Sequence, residues 1–265
     1  MAFDYIADPA VNLVRTSGNV FSSSSEDTNY PHENIAAGWP AKPFKFNAAA
    51  ADDQITVDFT SAKAVTFCSV HGHNIDSGIS AIQLRKSSDN FGASDVLVAT
   101  MTKATPTFFT SFASTSFRYW RLKFVGTNTA SPAPIAIGEW VLGVKSSLTN
   151  AQLIDWSYEE DMPQDRQSGG NIKQAFAVNL SDHRQRHVTL SFAAQSYAER
   201  DEILAMLTAS QFGVEPIVFV PDPNDVIVIH GRMPKSIVWE RLPGVTGGHR
   251  TTFTIEEDPF SVTLP

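Results

Sequence analysis

The sequence predicts a mainly β protein in two parts: a sandwich or jelly roll in the first half, then a β-rich second half carrying one helix. Three observations support this. Residues 118–125 (RYWRLKFV) alternate Tyr119, Arg121 and Lys123 with Trp120, Leu122 and Phe124, the period-2 pattern of a strand with one buried face. Residues 135–144 (IAIGEWVLGV) form a second dense β-type run. Around these two runs lie many short apolar stretches separated by Gly, Ser, Asn and Asp, with almost no helical periodicity.

The first half reads as strands at 55–59, 64–71, 79–85, 96–101 and 108–112, closed by the two runs above. In the second half, 172–180 and 186–192 flank Ser181-Asp182-His183 as a hairpin, with Val188, Leu190 and Phe192 facing the core. Residues 196–210 follow with Ile203, Leu204, Met206 and Leu207 at helical spacing. Ser196 stands there as N-cap, with Glu199 three residues on. Strands resume at 216–220, 226–230, 236–241 and 251–257, separated by Pro, Asp and Gly turns. The polar stretch 144–150 (VKSSLTN) marks the boundary between units at 1–146 and 147–265. The strands at 216–220 and 251–257 are expected to be sheet edges, with backbone groups free for a neighbouring copy.

At 265 residues the chain is long enough for two units that each bury a core without staples. The one cysteine, Cys68, has no disulfide partner within the chain and lies in an alternating run, so it reads as a packed thiol. The first residues carry acids and a proline in place of a basic region and a long apolar core, which argues against a signal peptide. No stretch has the apolar length of a membrane span, so a soluble protein without membrane insertion is expected. Residues 1–145 hold 11 basic against 12 acidic side chains, and the remainder 9 against 16. That acidic excess repels phosphate backbones and argues against nucleic-acid binding.

Four pieces of the first half, in order, resemble galactose-binding-like (discoidin-type) jelly rolls, especially those of bacteriophage tails. They are 29–35 (NYPHENI), 54–59 (QITVDF), 69–75 (SVHGHNI), and RYWRLKFV together with IGEWVLG. The second half is similar to the tube-type domain of phage minor tail and distal tail proteins. There the matching pieces are the hairpin, the helix YAERDEILAML, the strand PIVFVPDP, Gly231, and the late strand ending Glu256-Glu257-Asp258. In distal tail proteins the tube-type domain usually comes first; here it comes second. The resemblance implies a structural virion protein at the tail tip or baseplate, assembled in the host cytoplasm. Its expected partners are copies of itself in a ring, the tail tube, and tip or hub proteins. An adhesin that binds host-surface glycan through the first half is the alternative.

Chemistry-bearing residues are sparse. His71 and His73 with Asp76 are metal-ligand types, but they lack a further ligand at recognisable spacing and read as structural; no metal and no cofactor is expected. No Gly-x-Ser-x-Gly elbow occurs, and adjacent acids such as Asp52-Asp53 do not aim two carboxylates at one bond, so an enzyme is not expected. Trp39, His73, Asn74 and Asp76 combine an aromatic face with planar hydrogen-bonding groups, and are the candidate ligand-binding residues.

Overall fold

A computed structural model describes residues 3–7, 12–37, 42–101, 107–129, 134–148, 152–161, 164–167, 176–179, 185–194, 196–220, 228–244 and 248–257. Its strands are β1 (Phe3–Ala7), β2 (Val20–Ser23), β3 (Phe44–Lys45), β4 (Gln54–His73), β5 (Ile79–Ser87), β6 (Val96–Met101), β7 (Thr107–Gly126) and β8 (Ala136–Gly143). They continue with β9 (Ser146–Leu148), β10 (Gln152–Asp161), β11 (Gln164–Gln167), β12 (Phe176–Asn179) and β13 (Gln185–Ala194). Helix α1 (Tyr197–Ala209) precedes β14 (Ile217–Val220), β15 (Ile229–Arg232), β16 (Glu240–Arg241) and β17 (His249–Glu257). The fold is mainly β and antiparallel, with one α-helix among the described residues.

The first lobe is a jelly-roll sandwich made by folding one seven-stranded sheet over itself. Its order is β3-β8-β4-β7-β5-β6, with β2 on β4. The expected separate strands at 55–59 and 64–71 are a single strand, β4, and 108–112 joins 118–125 in β7. Each is twenty residues long. Between Asp58 and Lys63 their pairing slips, Thr60 takes a left-handed φ of 63°, and residues 60–64 are exposed. Such bulges let one strand serve two layers. Before the slip β4 pairs with β2; beyond it, β4 pairs with β8. Trp120 and Leu122 from one layer meet Val70, Phe108, Trp140 and Leu142 from the other in one dry core. The phase expected for 118–125 holds: Trp120, Leu122 and Phe124 are fully buried.

The second lobe is an eight-stranded sheet in the order β10-β13-β17-β15-β14-β1-β9, with β16 on β17. α1 begins as expected, the Ser196 hydroxyl accepting from the Glu199 amide at 3.3 Å. Its Ile203, Met206 and Leu207 pack on Val188, Leu190, Phe192, Phe253 and Ile255.

Four expectations are corrected here. Phe3–Ala7 lies in the second sheet between β14 and β9, so the second lobe takes a strand from the 1–146 unit. The strand at 186–192 pairs with β10 and β17, and the described part of 172–180, β12, pairs with β11 and not with 186–192 as a hairpin would require. The tip 181–183 lies outside the described residues. Strands β14 and β17 are internal, each with neighbours on both sides, so the free edges are elsewhere. Of 236–241, only Glu240–Arg241 joins the sheet.

The lobes meet face to face. One face of β14 and β15 covers the helix core through Ile217, Phe219 and Ile229. The other presents Val218, Val220 and Val228 to Phe67 and Val141 of the first lobe, with Phe109 packed alongside. That is why β14 and β8 are buried along their whole length. An ion pair, Arg15 to Glu215 at 3.2 Å, spans the rim.

Two substitutions test this packing. Trp120→Ala should destabilise the protein by about 3–5 kcal/mol in denaturant titration, the range for removing a large buried aromatic. A loss under about 1 kcal/mol would reverse the assigned phase of β7. At Gly231 an added Cβ would stand 2.2 Å from the Glu256 carbonyl oxygen, so Gly231→Ala should lower the melting temperature, whereas at Gly92 the nearest atom would lie 3.5 Å away and Gly92→Ala meets no such clash.

Candidate functional site

Polar chemistry gathers at two places, one buried between the lobes and one exposed on the first. In the buried set, His71 on β4 is the cross-strand partner of Glu139 on β8 and makes ring contact with His230 on β15, centroids 4.5 Å apart. All three residues are fully buried. His71 Nε2 lies 2.8 Å from the Ser69 hydroxyl and Nδ1 3.1 Å from that of Thr107. Beside them the Arg186 guanidinium forms an ion pair with the buried Glu257 and donates to the Val228 carbonyl at 2.9 Å. Burial pushes the His71 pKa well below its ordinary value, with His230 and Arg186 adding to the effect. Burial, helped by Arg232 and Arg15, takes His230 down to about 3. Both imidazoles are therefore neutral at pH 7 and serve as interface packing. Cys68 behaves likewise: burial raises its thiol to about 12, so it is an inert core group.

The residues suggested for ligand binding are deployed differently. His73 is buried against Phe108, centroids 5.1 Å apart, and its Nδ1 accepts from the Ile75 amide. Asn74 accepts from the Ala136 amide at 2.7 Å and donates to the Pro134 carbonyl at 2.9 Å. The Asp76 carboxylate accepts from the amides of Gly78 and Thr129, both at 2.7 Å, and from the Thr129 hydroxyl. Asn74 and Asp76 thus staple the β4–β5 turn to the chain leading into β8, the role of Asx turns. Trp39 lies outside the described residues. Glu26, His32 and Glu33 are the one group of three metal-ligand types brought together among the described residues. There the two carboxylates meet opposite nitrogens of the His32 ring.

The exposed set is a row across the solvent-facing layer of the sandwich. Register places Leu97, Arg85, Arg121, Thr56 and Ser22 side by side on β6, β5, β7, β4 and β2. Two arginines stand directly opposite each other, a pairing that destabilises a sheet unless something neutralises it. Arg85 is neutralised by Asp95, Nε to Oδ1 at 2.6 Å, and its Nη1 donates to Gln83 at 2.8 Å. Arg121 donates through Nε to the Thr56 hydroxyl at 3.1 Å, and its guanidinium lies 3.6 Å over the Phe91 ring. It forms no ion pair among the described residues.

Phe91 is held there by a dedicated turn. It adopts a φ of 63°, costly for an aromatic residue, while its amide donates to the Ser87 hydroxyl at 2.8 Å. Asp89 accepts from Ser87, Ala93 and Ser94, closing the turn. The alternation of 118–125 shows that Arg121 faces outward. Which residues stand beside it depends on strand register, which one sequence does not display.

Two open clefts, of about 470 and 420 Å³, lie away from both sets. They flank the segment that leaves the β17 edge between β15 and β16, lined by residues such as Met233, Val238 and Thr252. Among the described residues no helix is long and apolar enough to cross a membrane.

No protein family matches the sequence, and no curated protein does. Solved structures similar to part of the chain include a point mutant of chitosan-binding module 1 from a Paenibacillus sp. IK-5 chitosanase/glucanase. It is 16% identical, with 50% of this chain and 98% of that one covered, at a TM-score of 0.43. CBM32-1 of a family 31 glycoside hydrolase from Clostridium perfringens is 13% identical over 51% of this chain and 97% of its own, at 0.40. A GH29 fucosidase from Ruminococcus gnavus is 14% identical over 51% of this chain, at 0.44, and only 27% of that enzyme is covered.

The buried histidines set an acid limit on stability. Burial holds both folded pKa values below the ordinary value near 6.5, so their contribution is complete above that pH and is lost as pH falls below it, for His230 down to about 3. Urea unfolding midpoints should hold steady above pH 7 and fall between pH 6.5 and 5.5, with a shallower fall in His230→Asn. An equal slope in that variant would show that His230 is solvated.

Proposed function

We propose that this chain is a non-catalytic structural protein of a long-tailed bacteriophage tail tip or baseplate, forming a symmetric ring through its second lobe. The observation that carries the reading is the placement of the second sheet's free edges. Both faces of its central strands are occupied, by α1 on one side and by the first lobe on the other. Among the described residues, the ends of its strand order, β10 and β9, each keep one side open for hydrogen bonding. β10 is ten residues long and has, among the described residues, only β13 beside it. A long bare edge is a template for another chain. Two unlike edges meeting head to tail give a heterologous contact, the kind that closes rings. The acidic excess of the second half suits a ring whose lumen must not retain DNA. Tail tube and tip or hub proteins are the neighbours such a ring would meet.

A second reading, glycan contact through the first lobe, is favoured by the outer-face row at Arg121. That face stays open when the opposite layer is docked on the second lobe, so the two readings do not compete for surface.

Electron microscopy of the virion tests the main reading. The expected result is a ring of this protein at the tail end, with second lobes making the contacts between copies. A particle in which first lobes close the ring, or one lacking the protein, would sink it.

A further inference from the structure

We propose that the outer face of the first lobe is a binding site for a terminal acidic sugar, with Arg121 as the carboxylate-binding residue. The inference rests on the glycan-contact reading and names its ligand class. Nε of Arg121 is committed to Thr56 and the guanidinium face to Phe91, which leaves Nη1 and Nη2 without an acceptor among the described residues. A guanidinium fixed on two sides presents its remaining pair of donors as a rigid fork, the geometry that takes a carboxylate through two parallel hydrogen bonds.

The site is built at a cost. The Arg85–Arg121 pairing places like charges opposite each other, and the turn holding Phe91 keeps an aromatic residue in left-handed backbone. An anion on Arg121 relieves the first of these, and the strained turn holds the fork still for it. The surroundings select the kind of anion. Along the same row lie exposed Ser22 on one side, beyond the buried Thr56 that anchors Arg121, and exposed Leu97 on the other. These groups suit the hydroxyls and C–H face of a sugar ring. Asp95 on Arg85 and Asp58 on Arg118 flank the row and repel a run of negative charges. A single carboxylate among hydroxyls fits better than an acidic peptide or a nucleic-acid backbone.

The test uses the full chain and NMR titration with methyl glucuronide, methyl glucoside, inorganic phosphate and a hexaglutamate peptide. Glucuronide should bind at least tenfold more tightly than glucoside and shift the signals of Arg121, Thr56 and Phe91. Arg121→Gln should reduce its affinity to that of glucoside. Arg121→Lys, which keeps the charge and loses the fork, should recover little, and Phe91→Ala should weaken binding with the charge intact. Tighter binding of phosphate or hexaglutamate, or unchanged glucuronide binding in Arg121→Gln, overturns the proposal. If glucoside binds as well as glucuronide and the signals map away from Arg121, glycan contact survives and the acidic-sugar site does not. If neither sugar binds, both fall.

Discussion

The structure depends on one dry contact, the packing of β8 and the end of β4 against β14 and β15. Because it covers the second face of strands whose first face is already in a core, it makes four strands buried on both sides. Alternation then loses its meaning there: IVFV and AIGEWVLG are near-continuous apolar runs because no side of them meets water. It also decides what the rest of the molecule has available. The sandwich has one layer left for solvent, and the second sheet is left with its ends. Polar groups admitted to the contact, His71, Glu139 and His230, must stay there without bulk water. The imidazoles do so by remaining neutral.

Much of the fold was legible because it follows local periodicity. Trp120, Leu122 and Phe124 fall on the buried face that their spacing predicts, and Ser196 caps α1 as its sequence position indicates. What was not legible is non-local. Nothing in FDYIA says that its partners are Ile217–Val220 and Ser146–Leu148. Nor does 251–257 reveal that it has neighbours on both sides. The site followed the same division. Asn74 and Asp76 have the composition of a binding loop, yet the same amide and carboxylate chemistry satisfies backbone groups across a turn, and only coordinates separate the two uses. Arg121 was visible as an outward residue, whereas Thr56, Arg85 and Phe91 come to it through pairing and a hydrogen-bonded turn.

The outer-face row and the buried histidine set show opposite ways of placing cationic side chains in a β protein. Between the lobes the imidazoles give up their proton. On the open face the arginines cannot, so charge is handled by a neighbouring carboxylate for one and by a hydroxyl and an aromatic ring for the other. The asymmetry between two residues in register is what singles Arg121 out.

The position of β1 has a consequence for biogenesis. Tyr5 pairs with Phe219, so the ribosome makes one side of that ladder more than two hundred residues before the other exists. The sandwich, whose strands all lie between Val20 and Gly143, is complete in the nascent chain long before β14 appears. The leading strand finds one partner, β9, as soon as the sandwich is made, and the other, β14, only some seventy residues later. Closure of the second sheet thus depends on contacts that span most of the chain, the kind of non-local pairing that costs the most chain entropy to form.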